Sequence, residues 1–103
     1  MSTKKTDAMK WLEARHGPMT VAHFVRSWRE ADEISQASFA KRLGLSRANL
    51  CDIEKGRKLV SPERAAKFAK VLKVPEMLLV QLALQDVVRN AQLRYIVKLE
   101  GAS

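Results

Sequence analysis

The chain has 103 residues, and its 19 lysines and arginines outnumber 11 aspartates and glutamates, giving a formal charge of +8. That surplus favours a polyanionic partner, because neutralising phosphates releases counterions. Hydrophobic residues at 47% fit one folded domain rather than a disordered chain, and a single cysteine excludes an internal disulfide.

Residues 1–6 are polar, and the N-terminal region contains no long apolar stretch, so neither a signal peptide nor a membrane span is expected. A cytoplasmic protein is the expectation, and the lone thiol suits a reducing compartment. Residues 1–19 read as an arm or short helix, capped by Thr6 or Asp7 and running to about Arg15. Met9, Trp11 and Leu12 would either grip a partner or pack on their own domain. Gly17-Pro18 ends that helix, because proline constrains the residue before it and cannot continue a helix.

Residues 20–74 read as the main domain. Thr20 caps a helix to about Ala31, with Val21, Phe24, Val25 and Trp28 at core-facing spacing. Ser35 and Ser46 then stand at the starts of two short helices joined through Gly44, where a left-handed residue reverses the chain. Phe39, Ala40 and Leu43 form one inward stripe, and Leu50 and Ile53 form its counterpart. The second helix leaves Arg47, Ala48, Asn49, Cys51, Asp52 and Lys55 facing outward. This is the layout of a helix-turn-helix whose second helix enters a DNA major groove. Charge concentrates on the same stretch: residues 36–58 hold six basic side chains and two acidic ones. Gly56 to Val60 form a basic loop, and Ser61-Pro62-Glu63 start a further helix with Ala65, Phe68, Ala69 and Leu72 buried.

Residues 75–103 read as a dimerisation helix and a C-terminal strand. From Pro75 to about Asn90 the apolar residues cover more than one helix face. Leu79, Leu82, Leu84, Val87 and Val88 are therefore expected at an interface, where burying each leucine or valine is worth ~1.5–3 kcal/mol. The period then changes. Leu93, Tyr95, Val97 and Leu99 alternate with Arg94, Lys98 and Glu100, a two-residue repeat that reads as a strand. With no second strand in the chain, it should pair with its copy in a dimer or with another protein, through Tyr95 and Val97 among others.

The stretch from Ile34 to Lys58, with its Ser-Gln…Ala…Leu-Gly…Ser…Leu…Ile-Glu-Lys-Gly pattern, resembles the Cro/CI-type (XRE) helix-turn-helix of phage repressors and bacterial regulators. The resemblance covers roughly Val21 to Val74. It implies an all-α, lambda-repressor-like domain of five helices that binds operator DNA as a homodimer. The small size and C-terminal extension also resemble the antitoxins of HigB/RelE-type modules, which adds a small ribonuclease toxin as an alternative partner. By this resemblance Gln36 bonds a DNA phosphate and braces the recognition helix. Ser46, Arg47 and Ala48 lie at its DNA-facing start, and Asp52 lies one turn on. Arginine can donate two bonds to guanine O6 and N7, and Ala48 can lie against a thymine methyl. Asp52 would accept from cytosine N4 or orient Arg47, while Asn49 would meet backbone or an adjacent base edge. Lys55, Arg57 and Lys58 fit phosphate contacts, and Arg29 with Glu54 forms a structural pair.

Other chemistries have little support in the residues. His16 and His23 lack a ligand cluster at metal spacing, and no nucleophile–base or phosphate-loop motif is present, so neither a cofactor nor catalysis is expected. Cys51 reads as a redox switch on the DNA face or as a small tolerated residue. A ligand-responsive regulator or an RNA-binding protein fits less well, given the absent ligand domain and an aromatic content of 6%.

Overall fold

A computed structural model describes residues 19–102, and the expected N-terminal arm or helix, with Met9, Trp11, Leu12 and His16, lies outside them. The described residues form five helices and no strand: α1 Val21–Ala31, α2 Gln36–Leu43, α3 Arg47–Glu54, α4 Pro62–Leu72 and α5 Glu76–Asn90. Local chemistry sets most of the boundaries. The side chains of Thr20, Ser35, Ser46 and Ser61 each accept the N–H three residues on, satisfying one orphan donor at each helix start. Gly44 ends α2 with φ 73°, a left-handed conformation that side chains with a Cβ resist.

The core gathers one stripe from every helix. Val21, Val25, Phe39, Ala40, Leu50, Ile53, Ala65, Phe68, Ala69, Leu72 and Leu79 are all almost fully buried. Phe24 and Trp28 are half-buried against this cluster, with their rings stacked 6.0 Å apart. Val60 joins the core from the basic loop, whereas its apolar neighbour Leu59 stays 44% exposed. The burial of Val60 anchors the loop and leaves Arg57 and Lys58 on the outside.

α5 corrects part of the expected interface. Leu79 and Leu82 are 0% and 7% exposed because α5 turns that side onto α4, its most extensively packed neighbour. They belong to the monomer's own core and have no surface to offer a second chain. Leu84 and Val88 are half-buried, whereas Met77 and Val87 keep 45% and 44% of their surface.

α5 also clasps the start of α1. The Val21 N–H donates to Asp86 Oδ2 at 3.0 Å, and Arg89 Nη1 donates to the Met19 carbonyl at 3.1 Å. Burial pushes the Asp86 carboxyl above the ordinary carboxylate range, against the Val21 hydrogen bond and the charge of Arg89. An acid whose folded pKa is raised costs stability once pH climbs past the unfolded value and ionises it. Asp86→Asn keeps an oxygen for Val21 and removes the charge. It should therefore be at least as stable as wild type at pH 7 and indistinguishable near pH 3 in urea titrations. A clear loss at pH 7 would show that the carboxylate is favourable there.

The C-terminal strand is not formed as a paired strand. After Gln92, which has φ 61°, residues 93–102 carry neither helix nor strand. Their backbone bonds instead to two glutamines of α5. Gln85 Nε2 donates to the Tyr95 carbonyl at 2.8 Å, and Gln85 Oε1 accepts the Val97 N–H at 2.8 Å. Gln81 Oε1 accepts the Leu99 N–H at 3.1 Å. Four helical residues advance ~6 Å and two extended residues ~6.6 Å, so this spacing identifies an extended segment running antiparallel to α5. Val97 and Leu99 are half-buried, as the two-residue repeat requires, but Tyr95 is 68% exposed. A strand needs a neighbouring strand for its ladder, and among the described residues none exists.

Candidate nucleic-acid interface

α3 is positioned by a buried ion pair. Arg29, near the end of α1, grips Glu54 at the end of α3 with two bonds, Nε to Oε2 at 2.7 Å and Nη2 to Oε1 at 3.0 Å. Its remaining nitrogen, Nη1, donates to the Ile34 carbonyl at 3.1 Å, just before α2. Gln36, the first residue of α2, adds a bond from Nε2 to Glu54 Oε1 at 3.1 Å. Three helices are thus tied to one carboxylate that is 3% exposed. Burial by itself would raise the Glu54 pKa, but the bonds from Arg29 and Gln36 prevail and hold it below the ordinary range. The expected Arg29–Glu54 pair is therefore present, and Gln36 braces α3 through the same carboxylate.

The outer side of α3 carries the expected readers. Ser46, Arg47 and Ala48 are exposed at its N-terminal end, and Asn49 and Asp52 are half-buried beside them. Ser46 Oγ accepts the Asn49 N–H at 3.1 Å, so that hydroxyl serves the helix cap. Arg47 makes no side-chain hydrogen bond or ion pair among the described residues. Asn49 and Asp52 are already engaged. Lys58 Nζ donates to Asn49 Oδ1 at 2.8 Å, and Arg57 Nη1 lies 3.7 Å from Asp52 Oδ1. Asp52 thus faces Arg57 rather than Arg47 in the free chain, a pairing across the helix end that its spacing from Arg47 does not reveal. Lys55, Arg57 and Lys58 are all exposed, forming a cationic rim next to the helix. Cys51 is half-buried on α3.

Sequence reasoning does not single out Val60 or Arg26. Val60 is the buried pin under the basic rim. Its signal is a valine closing a charged loop directly before the Ser61 cap. Arg26 pairs with Glu30 at 2.9 Å, one turn apart on α1, and shares a shallow cleft with Arg29, Gln36, Glu54 and Lys55.

The arrangement can do two things chemically. The rim supplies point charges for phosphates, and the ridge from Arg47 to Asp52 supplies donors and acceptors for base edges. Lys58→Ala should weaken cognate and nonspecific duplexes alike and reduce the salt slope by about one. If discrimination falls instead in a salt-dependent titration, Lys58 acts by positioning Asn49. Among the described residues no group of three His, Cys, Asp or Glu side chains could hold a metal ion, and no helix is long and apolar enough to cross a membrane.

Comparison with known proteins agrees with this geometry. The family model of the helix-turn-helix domain matches residues 20–82, which span all of α1 to α4 and the first half of α5. Neither the curated proteins nor the solved structures yield a match. A glycine-turned pair of capped helices, a second helix with a polar outer ridge and the family match converge: the chain belongs to the helix-turn-helix domain family, in the Cro/CI-like XRE-type group of DNA-binding domains.

Proposed function

We propose that this protein is a transcriptional repressor that binds a palindromic operator as a homodimer in the cytoplasm. The observation that carries the reading is the state of α3. Its outer ridge, Arg47 to Asp52, is presented to solvent beside three exposed cations. Its inner side is fixed by Arg29, Gln36 and Glu54. A rigid helix with a polar outer ridge reads base edges with little loss of conformational entropy on binding. Half-sites about one DNA turn apart, ~34 Å centre to centre, suit two such helices related by a two-fold axis.

Electrophoretic selection from fragments of the host's own promoters tests this directly. The expected result is one or a few fragments sharing an inverted repeat, protected symmetrically in a footprint. Indifference to every duplex at low ionic strength would end the proposal. Co-purification with a small ribonuclease would add an antitoxin role to this reading without displacing it.

A further inference from the structure

The C-terminal segment presents two different edges. In an extended chain the N–H and C=O groups of alternate residues point to opposite sides. On one side, Tyr95, Val97 and Leu99 are bonded by Gln85 and Gln81 of α5. The other side carries the N–H and C=O groups of Arg94, Ile96, Lys98 and Glu100, which have no backbone partner among the described residues. Beside this open edge, Tyr95 and Ile96 are 68% and 81% exposed, large values for apolar side chains. An extended segment with an open edge offers the same unpaired N–H and C=O row that makes edge strands templates for pairing.

We infer that the open edge of residues 94–100 pairs antiparallel with the same segment of a second copy, in the register that sets Val97 opposite the partner's Val97. The inference rests on the homodimer reading and assigns its contact. Charge favours the antiparallel direction and counts against the two adjacent registers. Centring on Leu99 would set Lys98 opposite the partner's Glu100 but shortens the overlap of the two segments. Centred on Val97, an antiparallel pair sets Arg94 opposite the partner's Glu100, and the same contact recurs by symmetry at the other end. Ile96 and the partner's Lys98 exchange both backbone bonds, and Tyr95 lies against the partner's Leu99. Centring the pair on Ile96 sets Arg94 against the partner's Lys98, and centring it on Lys98 sets two lysines face to face. Like charges directly opposite one another are unfavourable, so both shifts are penalised.

The ladder also stops at two strands. Gln81 and Gln85 already occupy the inner edge of each copy, so no third strand can add. The contact uses one patch from both copies and closes on itself, the geometry of a two-fold dimer rather than a fibre.

Sedimentation equilibrium of the full chain tests the inference. Arg94→Glu alone, and Glu100→Arg alone, should each weaken the dimer about tenfold, since each converts two attractive pairs to repulsive ones. The double exchange should restore an affinity close to wild type. Val97→Cys in a Cys51→Ser background should form an intermolecular disulfide under mild oxidation, because a non-hydrogen-bonded pair brings the two Cα atoms within ~4.5 Å. Ile96→Cys in that background should not cross-link. A dimer unaffected by either single reversal and refractory to cross-linking at residue 97 would overturn the inference while leaving the homodimer intact. A wild-type chain that sediments as a monomer and leaves a one-sided footprint would overturn both.

Discussion

Replacing Arg29 with methionine should destabilise the domain by about 3 kcal/mol at neutral pH. Breaking a buried ion pair by removing one partner typically costs ~3–5 kcal/mol, because the remaining charge is buried uncompensated. The lower end applies here, since Arg29 keeps 18% of its side chain exposed while Glu54 keeps 3%. The cost should depend on pH in a defined direction. In wild type the Glu54 pKa is lowered, so its contribution is present above the ordinary carboxylate range and is lost as pH falls through the folded value. Without Arg29, burial dominates and the carboxyl takes up a proton more readily. The gap between the proteins should therefore narrow on acidification. Arg29→Met combined with Glu54→Leu should recover much of the loss, because an apolar pair of similar volume can replace a buried salt bridge. Urea titrations between pH 4 and pH 8 measure all of this. A single-variant loss below about 1 kcal/mol, or one that widens in acid, would refute the role assigned to the pair.

The second large effect concerns specificity. Arg47→Ala should weaken binding to the cognate operator about tenfold or more per half-site, while nonspecific duplex binding changes far less. A bidentate arginine–guanine contact is worth ~1–3 kcal/mol of discrimination, and a phosphate contact contributes none. Arg47 is exposed and unpaired among the described residues, so its loss leaves the fold intact and the measurement reports DNA alone. Competition titrations at fixed salt separate the two quantities. Equal losses on both kinds of DNA would make Arg47 another phosphate anchor.

What could be seen in the sequence follows the range of the forces involved. The caps at Thr20, Ser35, Ser46 and Ser61 and the turn at Gly44 depend on neighbours within three or four residues, so the residue types declare them. The Arg29–Glu54 pair spans 25 positions and becomes visible only through likeness to a known family. Lys73 ends α4 in the left-handed region at φ 58°, a place where glycine would announce itself and lysine does not. In α5 the apolar excess is plain, but periodicity does not say which leucines α4 will claim; Leu79 and Leu82 went inward. Asp86 meets Val21 across 65 positions, a contact that no local pattern encodes. The tail shows its alternation openly while hiding that two glutamines, one helical turn apart, line its inner edge.

Apart from Arg47, the polar ridge of α3 is already paired within the chain. Lys58 holds Asn49, and Arg57 faces Asp52. Engaging a base edge through Asn49 or Asp52 is consequently a swap of partners, in which one contact is surrendered for each gained. Such exchanges yield little net heat, leaving ion displacement from the duplex to supply most of the driving force. Calorimetry on a chosen operator should accordingly report a small enthalpy, with an affinity that falls steeply as salt is added.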